Sequence, residues 1–434
     1  MKKILTIILT LMIAGVVFAE DVKMEEPKKE EVKKEEVKKE EKKTGFQFNG
    51  AVYVYGATYK TTKKDESMSF GAFRFRPFFS YITENVKAVV KFEIDQFLGK
   101  ETGGKGADIG NDEKVIEVKA ANLTFDIPAV KGLSVKGGVD EYKTPGGFLI
   151  GTEAGLGLLT YKTGSHAFNL VYLKVEEKNQ TLQNDDWTVM GLDINLGLGD
   201  IKIRPALYIS TIGKNYAGLD KDATIMLPSL GFNFKMSGLS IDLNGTFGTG
   251  ETTTGGTKTS LSGYAFDFNP AFEVQKGIKV GAFLTMVSGD KADTTDKQEN
   301  FSNFMLKSDG FGRLFLLQNQ QSFSNIANDT FADIRGKAQG YMLAGITADI
   351  KLNPISLNIN LGYGQLAQQV STTKTKKDLG IEADLSIGYE IEKNAKLVFD
   401  FGYLATGKAF STEGFGSSDE QAAIYAALGM AYKF

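Results

Sequence analysis

From residue 45 to its last residue, the chain alternates apolar and polar residues with a period of two, which is the period of a β-strand. Short turns interrupt the alternation near residues 84, 130, 165, 200, 238, 277, 354 and 394. They leave nine intervals, each long enough for two strands and a longer loop. The pattern predicts an all-β fold, a transmembrane antiparallel β-barrel of about 18 strands, with 16 as the alternative count.

The two faces of the predicted strands differ in chemistry. In residues 86–95 the even positions are apolar and most odd positions are charged, and residues 71–79 show the same contrast with the parity reversed. Such strands suit a barrel with lipid outside and water inside, although a soluble sheet with one buried face is an alternative. The predicted lumen-facing charges are Arg74, Arg76, Lys87, Lys91, Glu93, Asp95, Lys202 and Arg204. The basic residues among them form a stripe that is opposed by acidic residues, namely Glu93, Asp95, Asp193, Glu382, Asp384 and Asp400.

Four prolines fall on the lipid-facing parity of predicted strands. Proline cannot donate a ladder hydrogen bond, so each should mark a bulge or a locally unpaired position. These prolines are Pro77, Pro205, Pro228 and Pro270.

The chain ends on an alternating strand, residues 423–434, whose last residue is Phe434. A closed barrel requires this strand to pair with the first, because a free apolar edge strand would aggregate. A terminal aromatic residue also resembles the signal that the outer-membrane barrel assembly machinery recognises. We therefore expect Phe434 to contact that machinery.

The N-terminal region has a different composition. Lys2 and Lys3 precede an apolar run and a small-residue cleavage site, which predicts a signal peptide over residues 1–19. Residues 20–44 form a Lys/Glu-rich periplasmic spacer, partly helical or disordered, whose charged residues 20–43 could contact the cell wall. The barrel is predicted over residues 45–434. Because the chain has no cysteine, a lipoprotein anchor and disulfides are excluded.

The longer connections are predicted to be extracellular loops. They fall near residues 61–66, 98–114, 143–154, 178–186, 213–222, 249–258, 289–337, 367–377 and 406–420. The loop at 289–337 is exceptionally long, and its centre contains many Phe and Leu residues. We expect these apolar side chains to pack inside the barrel and to narrow it.

Catalytic chemistry is poorly represented. The single histidine, His166, lies in a predicted turn, so a Ser-His hydrolase is not expected and the chain is predicted not to be an enzyme.

Four carboxylates in the longest loop could hold Ca²⁺, although the EF-hand spacing is missing and a solvated acidic loop is the alternative. They are Asp290, Asp293, Asp296 and Glu299. No other cofactor is predicted, and the net charge of −3 gives no indication of nucleic-acid binding.

Three segments resemble the alginate-export-like outer-membrane porins: residues 84–95, residues 118–138, and Ser288-Gly289-Asp290-Lys291 running to Phe301. The resemblance implies an 18-strand barrel with an extracellular loop after the Gly-Asp motif. Alginate exporters have a strongly basic lumen, whereas here acidic residues are interleaved with the basic ones.

These observations predict a porin in the cell outer membrane of a diderm bacterium. It would be a passive aqueous channel for small hydrophilic solutes, such as sugars or organic anions. The alternative function is a surface adhesin or structural outer-membrane protein, tethered to the cell wall by its charged N-terminal segment.

Overall fold

The computed structural model describes residues 44–63, 66–98, 106–107, 116–177, 185–294, 296–304, 312–322, 332–416 and 421–434. The predicted signal peptide and almost all of the spacer lie outside these residues. Among the described residues, no helix has the length and apolar character needed to cross a membrane.

Eighteen long strands make up the sheet within this described part. They are β1 (Gly45–Lys60), β2 (Ser67–Ile82), β3 (Val86–Leu98), β4 (Ile116–Asp126), β5 (Leu133–Lys143), β6 (Gly151–Thr163), β7 (His166–Glu177), β8 (Asp186–Leu198), β9 (Ile201–Ile212), β10 (Ala223–Met236), β11 (Leu239–Thr254), β12 (Thr257–Gln275), β13 (Ile278–Val287), β14 (Tyr341–Leu352), β15 (Ile355–Leu366), β16 (Asp378–Glu392), β17 (Ala395–Thr406) and β18 (Ala423–Lys433). Two-residue strands at Gly106–Ala107 and Lys297–Gln298 lie in loops, as do short helical turns at Pro145–Gly147, Lys214–Ala217, Phe301–Phe304 and Lys408–Phe410.

The sheet closes on itself. Each long strand pairs antiparallel with the next, and β1 pairs with β18 from Ala51 opposite Lys433 to Lys60 opposite Ile424. We call this β1–β18 pair the closing seam. At its edge, the N–H of Gly50 donates to the carbonyl oxygen of Phe434 at 2.9 Å, and the N–H of Phe434 donates to the carbonyl oxygen of Gly50 at 3.1 Å. The prediction of a closed 18-strand barrel is confirmed, and the alternative count of 16 is not observed.

Apart from the turn between β11 and β12, the predicted short turns at one end of the barrel alternate with the predicted longer connections at the other. All eight predicted short turns join consecutive strands, and we call that end of the barrel the short-turn end and the other the long-loop end. The prediction of a longer loop at 249–258 is wrong, because β11 and β12 continue to a two-residue turn at Gly255 and Gly256. Both glycines have positive φ, 57° and 79°, which is the conformation that a tight hairpin turn requires.

The two faces of the barrel wall follow the predicted parity. On β18 the odd positions from Ala423 to Ala431 are buried, and the even residues Leu428, Met430 and Tyr432 are exposed on the outside. Near the short-turn end, the ring of Phe48 lies 5.0 Å from that of Phe79 and 5.2 Å from that of Phe434, measured between centroids. An apolar outer wall with aromatic rings at one rim is typical of a barrel that sits in lipid.

Each of the four strand prolines faces a gap in the ladder. Pro77 is paired with Gly50 on one side, whereas pairing of β2 with β3 lapses at residues 76 and 77 and resumes in the same register. Pro205, Pro228 and Pro270 show the same one-sided gap. Since the register does not shift, these are unpaired positions rather than bulges, and the prediction of a locally unpaired position is confirmed.

Candidate functional site

The interior of the barrel contains part of the long connection between β13 and β14. Residues 312–322 of this connection, called the lumen segment here, lie against the inner wall. Its side chains Leu314, Phe315, Leu316 and Leu317 are buried, and the ring of Phe315 packs edge-on against Tyr425 of β18 at 6.0 Å. The expected inward packing of apolar residues is confirmed for these positions; Leu306, Phe311, Phe323 and Phe331 lie outside the described residues.

Two acidic side chains on β16 hold the middle of the lumen segment. The backbone N–H groups of Leu316 and Leu317 donate to the two carboxylate oxygens of Glu382, at 2.5 and 2.9 Å. The next N–H towards the N-terminus, that of Phe315, donates to Asp384 Oδ2 at 3.1 Å. Three consecutive donors are therefore satisfied by inward-facing carboxylates.

The two ends of the lumen segment are held by other strands. At its C-terminal end, Ser322 donates to Asp400 of β17 through both its backbone N–H, at 2.8 Å, and its hydroxyl, at 3.0 Å. At its N-terminal end, Arg313 Nε donates to Asn269 Oδ1 of β12 at 2.7 Å, and the Arg313 carbonyl accepts from Asn360 of β15 at 3.2 Å. The segment thus lies across the wall from β12 to β17.

Sequence reasoning placed Glu382, Asp384 and Asp400 on the lumen wall, opposed to the basic residues. The structure buries all three beneath the lumen segment. They act as hydrogen-bond acceptors for backbone donors that would otherwise be unsatisfied. The period-two pattern predicted their inward parity correctly, but it contained no signal for this partner, because the contacts join residues far apart in the chain.

A second connection also folds inwards, and sequence reasoning missed it. Residues 144–150, between β5 and β6, bury Phe148, Leu149 and Ile150, and the ring of Phe148 packs edge-on against Phe301 at 6.3 Å. Thr144 Oγ1 accepts from the N–H groups of Leu149 and Ile150, both at 3.3 Å, which stabilises the turn. The apolar triplet inside an otherwise polar loop is the signal that could have identified it.

One network of charges joins β2, β3 and β4. Arg74 Nε donates to Asp95 Oδ1 at 2.6 Å, and its Nη2 contacts the other oxygen of the same carboxylate. Arg76 forms an ion pair with Glu93, and Lys119 Nζ lies 3.1 Å from the same carboxylate. The structure therefore brings together four of the predicted lumen charges, and it adds Lys119, which sequence reasoning did not select.

A second network joins β5, β8 and β9. Asp193 is completely buried and accepts from Arg204 Nε at 2.9 Å and Nη2 at 2.5 Å. The hydroxyls of Tyr142 and Tyr208 donate to the same carboxylate at 2.6 and 2.9 Å. The predicted residues Lys87, Lys91 and Lys202 lie outside both networks.

Two of the four acidic residues of the long loop are joined by a hydrogen bond. Asp290 Oδ1 accepts from the N–H of Glu299 at 2.9 Å, and Glu299 forms an ion pair with Lys291 at 3.2 Å. Asp293 and Asp296 are exposed. In the described part of the chain, these four carboxylates do not come together as a metal-ligating group.

No family model and no curated protein matches the sequence. Solved structures do match. A BenF-like porin from Pseudomonas fluorescens Pf-5 aligns with a TM-score of 0.57 at 11% identity over 90% of this chain and 98% of that chain. The chain has a porin fold.

Two further porin-fold structures match over similar lengths. Acinetobacter baumannii OccAB4 has a TM-score of 0.57 at 8% identity over 91% of this chain and 99% of its own. Pseudomonas aeruginosa OccK11 (OpdR) has a TM-score of 0.53 at 12% identity over 90% and 96%. These likenesses do not support the narrower resemblance to the alginate-export-like family.

Proposed function

We propose that the protein is an outer-membrane porin through which small hydrophilic solutes diffuse without energy input. The observation that supports this most is the closed barrel with an apolar exterior and a lumen lined by charged and polar side chains. An 18-strand barrel is wide enough to leave an aqueous path, and inward-folded segments reduce its width. The porin-fold neighbours are channels rather than enzymes, which agrees with this assignment.

We further propose that the preferred solutes are small organic anions, with sugars as the second class. The argument rests on which partner of each ion pair solvent reaches. The Arg76 side chain is 32% exposed and Glu93 only 4%, and Arg204 is 28% exposed whereas Asp193 is fully buried. Arg74 and Asp95 reverse this order, at 10% and 23%, and so do Lys119 and Glu117, at 18% and 52%. At the Arg76 and Arg204 pairs, however, the solvent-facing groups are guanidinium donors, which suit carboxylates.

The adhesin alternative predicts that the longest loop is displayed to the outside. Its described central part is instead held in the lumen by Glu382, Asp384 and Asp400. The porin function is therefore favoured over the adhesin.

Planar bilayer recording tests the proposal. The purified full-length protein should give conductance steps of fixed size, and the reversal potential in a KCl gradient should show anion preference. Liposome swelling should be faster with small carboxylates than with amines of equal size. An absence of steps from heat-modifiable, folded protein would overturn the porin function, and cation preference would overturn only the choice of solute.

We propose that residues 1–19 are a signal peptide. Residues 20–44 would then be a periplasmic spacer, and its residues 20–43 contact the cell wall. At the other end of the chain, we propose that the barrel assembly machinery recognises Phe434. The composition of the N-terminal region and the aromatic terminus support these assignments. The intact mass of protein isolated from outer membranes should correspond to a chain that begins at Glu20. A mass that includes the first 19 residues would contradict the cleavage.

A further inference from the structure

Three carboxylates meet at the long-loop end of the β7–β8 hairpin. Glu177 is the last residue of β7, Asp186 is the first residue of β8, and Asp185 immediately precedes it. One oxygen from each of the three lies within 4.8 Å of the oxygens of the other two. Calcium bonds oxygen at about 2.3–2.6 Å, so oxygens at these separations can share a single ion.

The local backbone directs these side chains towards each other. Glu177 and Asp186 are direct cross-strand partners, and the register of β7 shifts between Lys174 and Glu176 just before them. Like charges placed opposite each other destabilise a strand pair, and bulges commonly re-aim a side chain at a functional position. The arrangement is unfavourable unless a cation compensates it.

The second observation concerns the burial and the hydrogen bonding of Asp185. This residue is 1% exposed, and neither of its carboxylate oxygens has a hydrogen-bond partner. Asp186 Oδ1 is also buried, and the Lys174 ammonium lies 3.4 Å from it. A buried carboxylate without donors is costly, and buried polar atoms in folded proteins are almost always paired. An unpaired, buried Asp185 within reach of two other carboxylates therefore indicates a missing ligand.

The single positive charge of the neighbouring Lys174 is too small to neutralise the three carboxylates. Lys174 Nζ contacts Glu177 and lies 3.4 Å from Asp186 Oδ1. In the described part of the chain, no other Lys or Arg nitrogen lies within 4 Å of these three carboxylates. One ammonium against three carboxylates leaves an excess of two negative charges, which a divalent cation would neutralise.

We propose that Glu177, Asp185 and Asp186 bind a hard divalent cation, Ca²⁺ by size, which joins the outer ends of β7 and β8. Water supplies the remaining oxygens of the six to eight that Ca²⁺ takes. With three carboxylates the affinity should resemble that of extracellular Ca²⁺ modules, with Kd of about 10⁻⁴–10⁻³ M. The site lies apart from the two charge networks of the lumen and from the acidic residues of the long loop.

The single tryptophan of the chain makes the site directly observable. Trp187 follows Asp186, and its indole Nε1 donates to Ser210 Oγ at 2.7 Å. Full-length protein in detergent, stripped with EDTA, should sensitise Tb³⁺ luminescence when Trp187 is excited, and added Ca²⁺ should abolish the emission. Asp185→Asn and the more exposed Glu177→Gln should each weaken Tb³⁺ binding at least tenfold.

The matched control is the acidic group of the long loop. Asp290→Asn combined with Asp296→Asn should leave the Trp-sensitised emission unchanged. Heat-modifiability on gels verifies that every variant is folded, and Glu177→Gln keeps the test decisive if Asp185→Asn fails to fold. No emission, emission that Ca²⁺ does not displace, or emission unchanged in Glu177→Gln would each overturn the site.

Discussion

Asp193 and Arg204 form a two-pronged ion pair in the lumen, with Arg204 Nε 2.9 Å from Oδ1 and Nη2 2.5 Å from Oδ2 of the carboxylate. Arg204 Nη2 also donates to the carbonyl oxygen of Lys143 at 2.6 Å. Because Lys143 ends β5, this one guanidinium joins β9 to the beginning of the inward loop 144–150. It is both a solvent-facing charge and a structural connection.

Arg204→Ala should therefore destabilise the barrel. The substitution leaves Asp193 charged and buried, and breaking such a pair costs about 3–5 kcal/mol. Equilibrium unfolding by urea in micelles gives the free energy. Lys202→Ala, two residues away on the same parity and exposed, serves as the control and should change stability by less than about 0.5 kcal/mol. Equal effects of the two substitutions would contradict a special role for Arg204.

Arg74→Ala with Arg76→Ala should move the reversal potential towards cations. The double substitution removes two positive charges and leaves the carboxylates of Glu93 and Asp95 without these partners. Measurement in a KCl gradient across a planar bilayer tests this. Lys131→Ala, in a short turn outside the networks, should have no effect. If the reversal potential of the double variant equals that of the unmodified protein, these arginines lie outside the permeation path.

Glu382→Ala should release the lumen segment while the barrel remains closed. The side chain accepts two backbone N–H groups of that segment and makes no ladder bond, so each donor left buried costs about 1–3 kcal/mol locally. We expect a larger and more fluctuating single-channel conductance. Glu390→Ala, on the same strand near the short-turn end, is the matched control. An unaltered conductance from folded Glu382→Ala would show that the segment does not border the open path.

Gly50→Ala should weaken the closing seam. A Cβ at this position would lie 2.6 Å from the ring of Phe434 and 2.9 Å from the carbonyl oxygen of Arg76. Overpacking of this kind costs about 1–3 kcal/mol, and the fraction that forms the heat-modifiable barrel in liposomes should fall. Gly137→Ala is the control, because a Cβ there has no heavy atom within 4 Å. Identical assembly yields for both variants would refute the role of this contact.

The strand pattern predicted the barrel well because period-two alternation depends only on residues that are close together in the sequence. The turns and the gaps at Pro77, Pro205, Pro228 and Pro270 followed from local chemistry. The closing pair of β1 and β18 followed instead from the requirement that an apolar terminal strand is not left as a free edge. The loop predicted near 249–258 was wrong because two adjacent glycines allow a tight turn where composition indicated a flexible stretch.

The lumen was harder to predict because its contacts are non-local. Arg74 with Asp95 could be anticipated from parity, since they lie on neighbouring strands. The hydrogen bonds from the lumen segment to Glu382 and Asp400 could not be anticipated, because the sequence around a carboxylate does not indicate its hydrogen-bond partner. Asp185 was overlooked for the same reason, since its burial depends on the way the hairpin end folds.

The bonds to Glu382 have a consequence for which residues of the lumen can change. The carboxylate receives main-chain N–H groups, which every residue except proline possesses. The attachment therefore does not depend on which side chains the lumen segment carries. Side chains of the lumen segment can therefore be substituted, which changes the chemistry of the lumen surface, while the segment stays fixed to the same strand.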